Sequence, residues 1–296
     1  MDFTVNEHGF CGSFYEGKSF KNKVVIFVGG HNMSHNDTVS AGMYLPAAGF
    51  SVMFLAICKA AGTPDEMCRV PVEYVSNAVE WLKAHYNNDS LKIGIVGCME
   101  GGTYALLAAS LTDEMGLVVA CSPYDYVMES VSSKYVRNKA STFTYQGNDI
   151  PYSPWFILEE GILRLKIKSL KDGRYGEGRF CRYIYDRNTT IDKSRILVEN
   201  INADVLLIAP ENDDMWFSKR AVLNMESRLK SAGCRHRVRA SVYENASHVL
   251  GCSIDYKSRW GRYAKKTLPY IKQHKKEALK AAKESRTEIL QFLRDW

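Results

Sequence analysis

A strand, a sharp turn and a helix are encoded between residues 92 and 110, and this feature constrains the fold more than any other. The apolar run KIGIVG (Lys92–Gly97) is followed by C-M-E-G-G and then by the small-residue run TYALLAAS. Short apolar runs that end at Gly are typical of buried strands, and small residues let the following helix pack closely on a sheet. Glycine serves where backbone segments crowd a turn. The segment therefore predicts a strand-to-helix turn with Met99 at its apex.

Strands and helices alternate on both sides of this turn. Further buried strands are predicted at Val24–Val28, Ser51–Ile57, Leu117–Cys121, Asp204–Ala209 and Arg237–Tyr243. Helices are predicted after the capping pair Asn36-Asp37, from Pro71, and near Ser218–Ala232, with a C-terminal helical segment bent at Pro269. Repeated strand–helix pairs indicate an α/β fold with a mostly parallel, doubly wound sheet.

One stretch interrupts the alternation. Residues 123–202 are aromatic, basic and irregular in pattern, and we interpret them as a lid or cap inserted above the sheet. Ligands of open α/β sheets bind at the C-terminal ends of the strands, where such an insertion lies. We therefore expect a single domain over residues 1–296 with this lid insertion.

An acid and a base follow two later strands. Asp213 and Asp214 come just after the strand that ends in VLLIA, and His248 follows the last strand in the segment ENASH. Either feature alone is common, because Asp favours turns and a lone His is usually a loop residue. Together with the turn at Met99 they reproduce the chain order nucleophile, acid, base of a nucleophile-elbow hydrolase. We expect one of these two acids and His248 to form an acid–base pair.

The oxyanion hole of such a fold takes two backbone N–H groups. One comes from the loop after the first buried strand and the other from the residue after the nucleophile. In this sequence those positions are Gly30 or His31 and Glu100.

Several runs together resemble one family. VVIFVGGHN, LKIGIVGCMEGGTYALLAAS, LLIAPENDDMWFS and ENASH are similar to the C-terminal catalytic domain of the acyl-CoA thioesterase and bile acid-CoA:amino acid N-acyltransferase family, in a short form without the N-terminal β-sandwich. With Trp216 as anchor, the family's two acids fall on Asn212 and Asp213, so the resemblance assigns the triad acid to Asp213 and the base to His248. It implies an α/β-hydrolase fold and a hydrolase of lipid metabolism that cleaves fatty-acyl or related acyl-CoA thioesters.

The sequence departs from the family at the nucleophile. The family has Ser or Cys where this chain has Met99, and a thioether has no proton to lose and forms no stable acyl adduct. Three alternatives follow: Cys98 is the nucleophile, the chain is a pseudoenzyme that binds an acyl thioester or a protein partner, or His248 activates water directly. Transfer to an amine, as in an acyl-CoA:amino acid N-acyltransferase, is a further alternative, as is a scaffold that uses residues 123–202 as an interface.

Composition and charge limit the cofactors, the location and the ligands that we expect for this protein. The eight Cys form no metal-ligand spacing, so we expect free thiols, no metal and no cofactor. No apolar run is long enough to span a membrane and no signal peptide is evident, so we expect a cytoplasmic protein.

The net charge of +6 is concentrated from Lys257 onward, where the sequence has twelve Lys and Arg but only four Asp and Glu. This excess fits a solvated helix or a rim for a polyanion such as coenzyme A, and no nucleic-acid module accompanies it. The sequence gives no oligomeric state.

Overall fold

The computed structural model describes residues 1–30, 33–132, 136–154, 185 and 190–296. Its strands are Asp2–Phe3 (β1), Cys11–Tyr15 (β2), Phe20–Val28 (β3), Phe50–Ala56 (β4), Val70–Pro71 (β5), Lys92–Cys98 (β6), Leu117–Cys121 (β7), Glu129–Val131 (β8), Arg137–Ser141 (β9), Phe143–Tyr145 (β10), Asn148–Asp149 (β11), Asp204–Pro210 (β12) and Val238–Tyr243 (β13). Its helices are Val5–His8 (α1), His35–Gly42 (α2), Tyr44–Ala47 (α3), Glu73–Tyr86 (α4), Glu100–Leu111 (α5), Ile191–Ser194 (α6), Ser218–Ser231 (α7), Arg259–Thr267 (α8), Pro269–Gln273 (α9) and Lys275–Arg294 (α10).

Eight of these strands form the central sheet, in the order β1-β2-β4-β3-β6-β7-β12-β13. From β4 to β13 all neighbours are parallel, whereas β1 and β2 pair in antiparallel fashion at one edge. The predicted parallel α/β sheet is confirmed. Because parallel strands end on the same edge, the segments after β3, β6, β12 and β13 meet there.

Both faces of the sheet are buried, which explains the near-continuous apolar strands. Along β3, Val24, Ile26 and Val28 enter the core beneath α4, α5 and α7. Val25 and Phe27 point the other way, into the core beneath α2 and the C-terminal helices. This alternation of side chains along a strand places helices on both faces of one sheet.

Two predicted helix starts were wrong. Helix α2 is capped by Ser34, not by Asn36 or Asp37; the Ser34 side chain accepts the Asp37 N–H and the Asp37 carboxylate accepts the Ser34 N–H. This reciprocal pair is a capping box, which satisfies two N–H groups at once. Pro71 does not open a helix. It lies in β5 and pairs with Thr144 of β10, and α4 begins at Glu73.

The predicted bend at Pro269 corresponds to two breaks. Helix α8 ends at Thr267, α9 begins at Pro269, and His274 separates α9 from α10. A proline suits the first turn of a helix because its missing N–H is not needed there. The C-terminal segment is thus three helices, all on the same face of the sheet.

The interruption between β7 and β12 contributes no strand to the central sheet among the described residues. Strand β8 pairs with β9, and β10 pairs with β11 and β5. Much of the predicted lid, residues 155–184 and 186–189, lies outside the described residues.

Candidate active site

The predicted turn between β6 and α5 is present, and Met99 lies at its apex. Met99 has φ 59° and ψ −126°, a conformation that residues with a Cβ atom rarely adopt and that costs about 1–3 kcal/mol. Its N–H donates to the Cys121 carbonyl at 2.8 Å, and its own carbonyl accepts the Gly102 N–H at 2.9 Å. The backbone at the apex of this turn is therefore strained, and it carries a thioether side chain.

Close backbone approach explains the glycines on either side of Met99. A Cβ atom on Gly97 would lie 2.0 Å from the Gly101 carbonyl oxygen, and one on Gly101 would lie 2.4 Å from that of Gly29. Neither position has room for a side chain, because the obstacle in each case is backbone. These approaches fix the register in which Met99, and not Cys98, stands at the apex.

Cys98 points away from this apex, into the core. It is fully buried, and its thiol lies beside the thiols of Cys121 and Cys252. Burial, followed by these thiol contacts, raises the pKa of Cys98 well above its usual range. Because the thiolate is the reactive form of cysteine, Cys98 lies in an environment that suppresses its reactivity.

Asp213 and His248 lie together at the carboxyl edge of the sheet. The His248 Nδ1 atom lies 3.0 Å from each carboxylate oxygen of Asp213. Asp213 also accepts backbone N–H bonds from Met215 at 2.8 Å and Trp216 at 3.3 Å, and the Ser218 hydroxyl. The carboxylate is therefore held from several sides and fixes the ring with Nδ1 towards it.

His248 is buried, and its Nε2 atom has no hydrogen-bond partner among the described residues. Burial alone would lower the pKa of this imidazole, but the Asp213 carboxylate, helped by Glu100 and Asp214, makes the net shift upward. The Trp216 ring packs edge-on at 4.2 Å between centroids. An imidazole held through Nδ1 by a carboxylate, with Nε2 unused, has the arrangement of a general base.

Asp214, the second acid of the pair, does not contact the imidazole ring. Its Oδ1 accepts the backbone N–H of His248 at 3.1 Å, and its Oδ2 accepts that of Tyr270 at 3.0 Å. Burial, and then the neighbouring Asp213 charge, raises the pKa of this carboxyl. The sequence did not indicate this role, because Tyr270 is 56 residues away in the chain.

The predicted oxyanion positions adjoin the elbow. A Cβ atom on Gly30 would lie 2.7 Å from both Cβ and Cε of Met99 and 3.1 Å from a Glu100 carboxylate oxygen. The Gly30 N–H donates to the Met33 sulfur at 3.3 Å. His31 lies outside the described residues. The structure thus brings Gly30, Met99 and Glu100 together, with the Met99 side chain packed on Gly30.

The described part of the chain contains neither a metal-binding cluster nor a membrane-spanning helix. No group of three or more His, Cys, Asp or Glu side chains there could hold a metal ion. Over the same residues, no helix has the length and apolar character needed to cross a bilayer.

The largely parallel central sheet with helices on both faces defines an α/β-hydrolase fold. A family model described as "BAAT / Acyl-CoA thioester hydrolase C terminal" matches residues 70–294, and the chain belongs to this family. The predicted family and fold class are both confirmed.

Relatives in two functional groups are similar to this chain. Acyl-coenzyme A thioesterase 1 of Mus musculus is 26% identical over 226 residues, 75% of this chain and 46% of that protein. Acyl-coenzyme A amino acid N-acyltransferase 2 of Rattus norvegicus is 25% identical over 210 residues, 70% of this chain and 44% of that protein. The chain thus spans less than half the length of these relatives. A solved esterase of Pyrococcus furiosus is 15% identical, with a TM-score of 0.48 over 92% of this chain and 94% of that one.

Proposed function

We propose that this protein hydrolyses acyl-CoA or related acyl thioesters slowly, with His248 as general base towards water. The observation that carries the proposal is the 3.0 Å contact between the His248 Nδ1 atom and Asp213, which leaves the buried Nε2 without a partner among the described residues. A site kept only for its shape would have no need of a carboxylate that orients an imidazole.

The reaction needs no covalent intermediate. Nε2 of His248 takes a proton from water while the water oxygen attacks the thioester carbonyl carbon, and the carbonyl oxygen becomes an oxyanion. The oxyanion then collapses, the carbon–sulfur bond breaks, and the thiolate leaves with the proton from His248. The products are a carboxylic acid and a thiol. Enzymes stripped of their triad still exceed the rate in water by about 10³–10⁴-fold through the oxyanion hole and binding, which sets the expected scale.

Within this proposal Met99 takes no covalent part and Cys98 is not the nucleophile. A thioether cannot be deprotonated, and the Cys98 thiol is buried beside two other thiols with its pKa raised. Glu100 contributes its backbone N–H, with Gly30 or His31, to the oxyanion hole. Residues 123–202 serve as the lid over the acyl chain.

A pseudoenzyme is the second candidate, and one specific observation favours it. The Met99 side chain packs on Gly30, and the Gly30 N–H already donates to Met33. A substrate carbonyl oxygen would have to displace both contacts before it could use this N–H. In that case the chain binds an acyl thioester, or a protein partner, without cleaving it.

Hydrolysis of a long-chain acyl-CoA by the purified protein tests the two candidates. We expect slow release of coenzyme A that His248→Gln abolishes and His236→Gln, at an exposed histidine, leaves unchanged. Cys98→Ala should keep the activity. Thermal stabilisation by acyl-CoA without any turnover would replace the hydrolase by the pseudoenzyme. A faster reaction when glycine is added, with an acyl-glycine product, would instead identify an N-acyltransferase.

A further inference from the structure

One surface of the molecule carries charge of a single sign. The basic segment, residues 257–276, contains eight Lys and Arg and no Asp or Glu. All eight of these side chains are exposed. Within the described residues none of them forms an ion pair with an acid, although the rest of the surface has many such pairs. Uncompensated charge of this density attracts a ligand of opposite charge.

Helix α8 arranges part of this charge in a row. Its buried face consists of Trp260, Gly261 and Ala264. Arg259, Arg262 and Lys266 follow the spacing i, i+3, i+7 and are exposed, so they lie along one side of the helix. The helix thus has an apolar face towards the core and a cationic face towards solvent.

The basic segment is fixed directly beside the proposed base. The Tyr270 N–H, within this segment, donates to Asp214, and the same buried carboxylate accepts the His248 N–H. Trp260 and Ala264 belong to the hydrophobic cluster that contains Met99 and Trp216. The middle of the basic segment is therefore tied to the backbone of His248 through one buried carboxylate.

We propose that the basic segment binds the phosphate groups of a coenzyme A thioester while its acyl end lies at His248. This inference rests on the proposed function for the identity of the ligand. Coenzyme A carries a diphosphate and a 3′-phosphate at one end and its sulfur at the end of a long flexible arm. Such a molecule needs cations at some distance from the reacting carbon, and the basic segment supplies them. A single exposed ion pair contributes little, but several phosphates on several cations add up.

Binding of free coenzyme A, measured by calorimetry, tests this site. The double variant Arg262→Glu/Lys266→Glu reverses two charges of the row. Its matched control is Lys18→Glu/Lys21→Glu, which makes the same charge change on two exposed residues near the start of β3. The candidate site lies where the parallel strands end, so these two residues lie away from it. We expect the first variant to bind coenzyme A at least about tenfold more weakly, from two or more lost surface pairs. The control should bind as the unaltered protein does. Rising salt should weaken binding of the unaltered protein most.

A comparison of ligands separates this inference from the proposed function. KM for an acyl-CoA should rise in the Arg262→Glu/Lys266→Glu variant, whereas KM for the acyl thioester of pantetheine, which has no nucleotide, should not. Hydrolysis with an unchanged KM for acyl-CoA would overturn the phosphate site and leave the function standing. If the unaltered protein hydrolyses no acyl-CoA but binds coenzyme A, and the Arg262→Glu/Lys266→Glu variant loses this binding, the phosphate site is supported and the proposed hydrolase function is wrong. If vesicles containing phosphatidylserine bind through these residues while coenzyme A affinity stays the same in the variant, the site is a lipid surface and the inference is wrong.

Discussion

Met99 lies directly against Gly30, so that a Cβ atom added to Gly30 would come within 2.7 Å of two carbons of the methionine. The residue at the apex of the turn and the proposed first donor of the oxyanion hole are thus in contact. In a hydrolase of this fold the substrate carbonyl carbon lies between these two positions. Under the proposed function, Met99 would limit the rate in two ways: it supplies no nucleophile, and it lies against the Gly30 backbone.

Met99→Ser should raise the rate of acyl-CoA hydrolysis by about 10²-fold or more, because a positioned base acting on a nucleophile contributes about 10²–10⁴-fold. The backbone is already in the elbow conformation, so serine needs no rearrangement. Met99→Leu is the control, since it keeps the volume and adds no nucleophile. Steady-state rates and mass spectrometry of an acyl-enzyme provide the measurement. A serine variant no faster than the leucine variant would mean that Nε2 of His248 does not reach position 99.

Asp213→Asn should lower kcat by about 10²-fold or more, because the amide no longer fixes the productive tautomer of the imidazole. The Asp213 charge is the main factor that raises the pKa of His248 against the effect of burial. Neutral imidazole is the active base, so activity should rise with pH through a midpoint above the ordinary histidine value. In the variant this midpoint moves to lower pH. A pH–rate profile measures both effects, and an unchanged midpoint would show that another group titrates.

The Asp214→Asn variant should keep the ring of His248 in place but lose one of the two hydrogen bonds that the carboxylate accepts from the His248 and Tyr270 N–H groups. The amide oxygen of asparagine can still accept one of them, whereas its NH₂ group would face the other N–H. We expect the free energy of unfolding to fall by about 1–3 kcal/mol and the Tyr270 amide to exchange faster with solvent. Urea unfolding and hydrogen exchange measure these changes. The control is Asp255→Asn, at an exposed acid. Equal exchange at Tyr270 in both variants would contradict the proposed anchoring role.

Gly97→Ala should destabilise the protein by about 3 kcal/mol or prevent folding, since overpacking against rigid surroundings costs about 1–3 kcal/mol or more. Its Cβ atom would lie 2.0 Å from a carbonyl oxygen. Gly94→Ala, on the same strand, is the matched control because its Cβ atom would have no neighbour closer than 3.4 Å. Urea unfolding of both variants is the test. Equal stability would show that the elbow opens easily.

The sequence was informative where one local arrangement satisfied several constraints. The glycines around Met99 favour the register of the turn that the structure has, and the short apolar runs that end near Gly favour buried strands. Helix starts were less predictable: Ser34, Asn36 and Asp37 are all good capping residues, and only the hydrogen bonds distinguish them. Likewise Pro71 suits either a helix start or an edge pairing.

Contacts between segments that are far apart in the chain could not be predicted from the sequence. Nothing near Asp214 points to Tyr270, and the thiols of Cys98, Cys121 and Cys252 meet only because three separate segments cross beneath the elbow. The packing of Met99 on Gly30 likewise depends on how the ends of two neighbouring strands converge. Such contacts depend on the tertiary fold, and no periodic pattern or motif in the sequence indicates them.

The thioether at the apex of the elbow also determines how this protein can be detected. Fluorophosphonate reagents mark serine hydrolases because the active serine hydroxyl displaces fluoride and becomes phosphonylated, and Met99 has no hydroxyl for this reaction. A proteome-wide survey with such a reagent would pass over this chain even where it is abundant and folded. The Met99→Ser variant would appear in the same survey, so a single side chain decides whether this protein is counted among its relatives by chemical labelling.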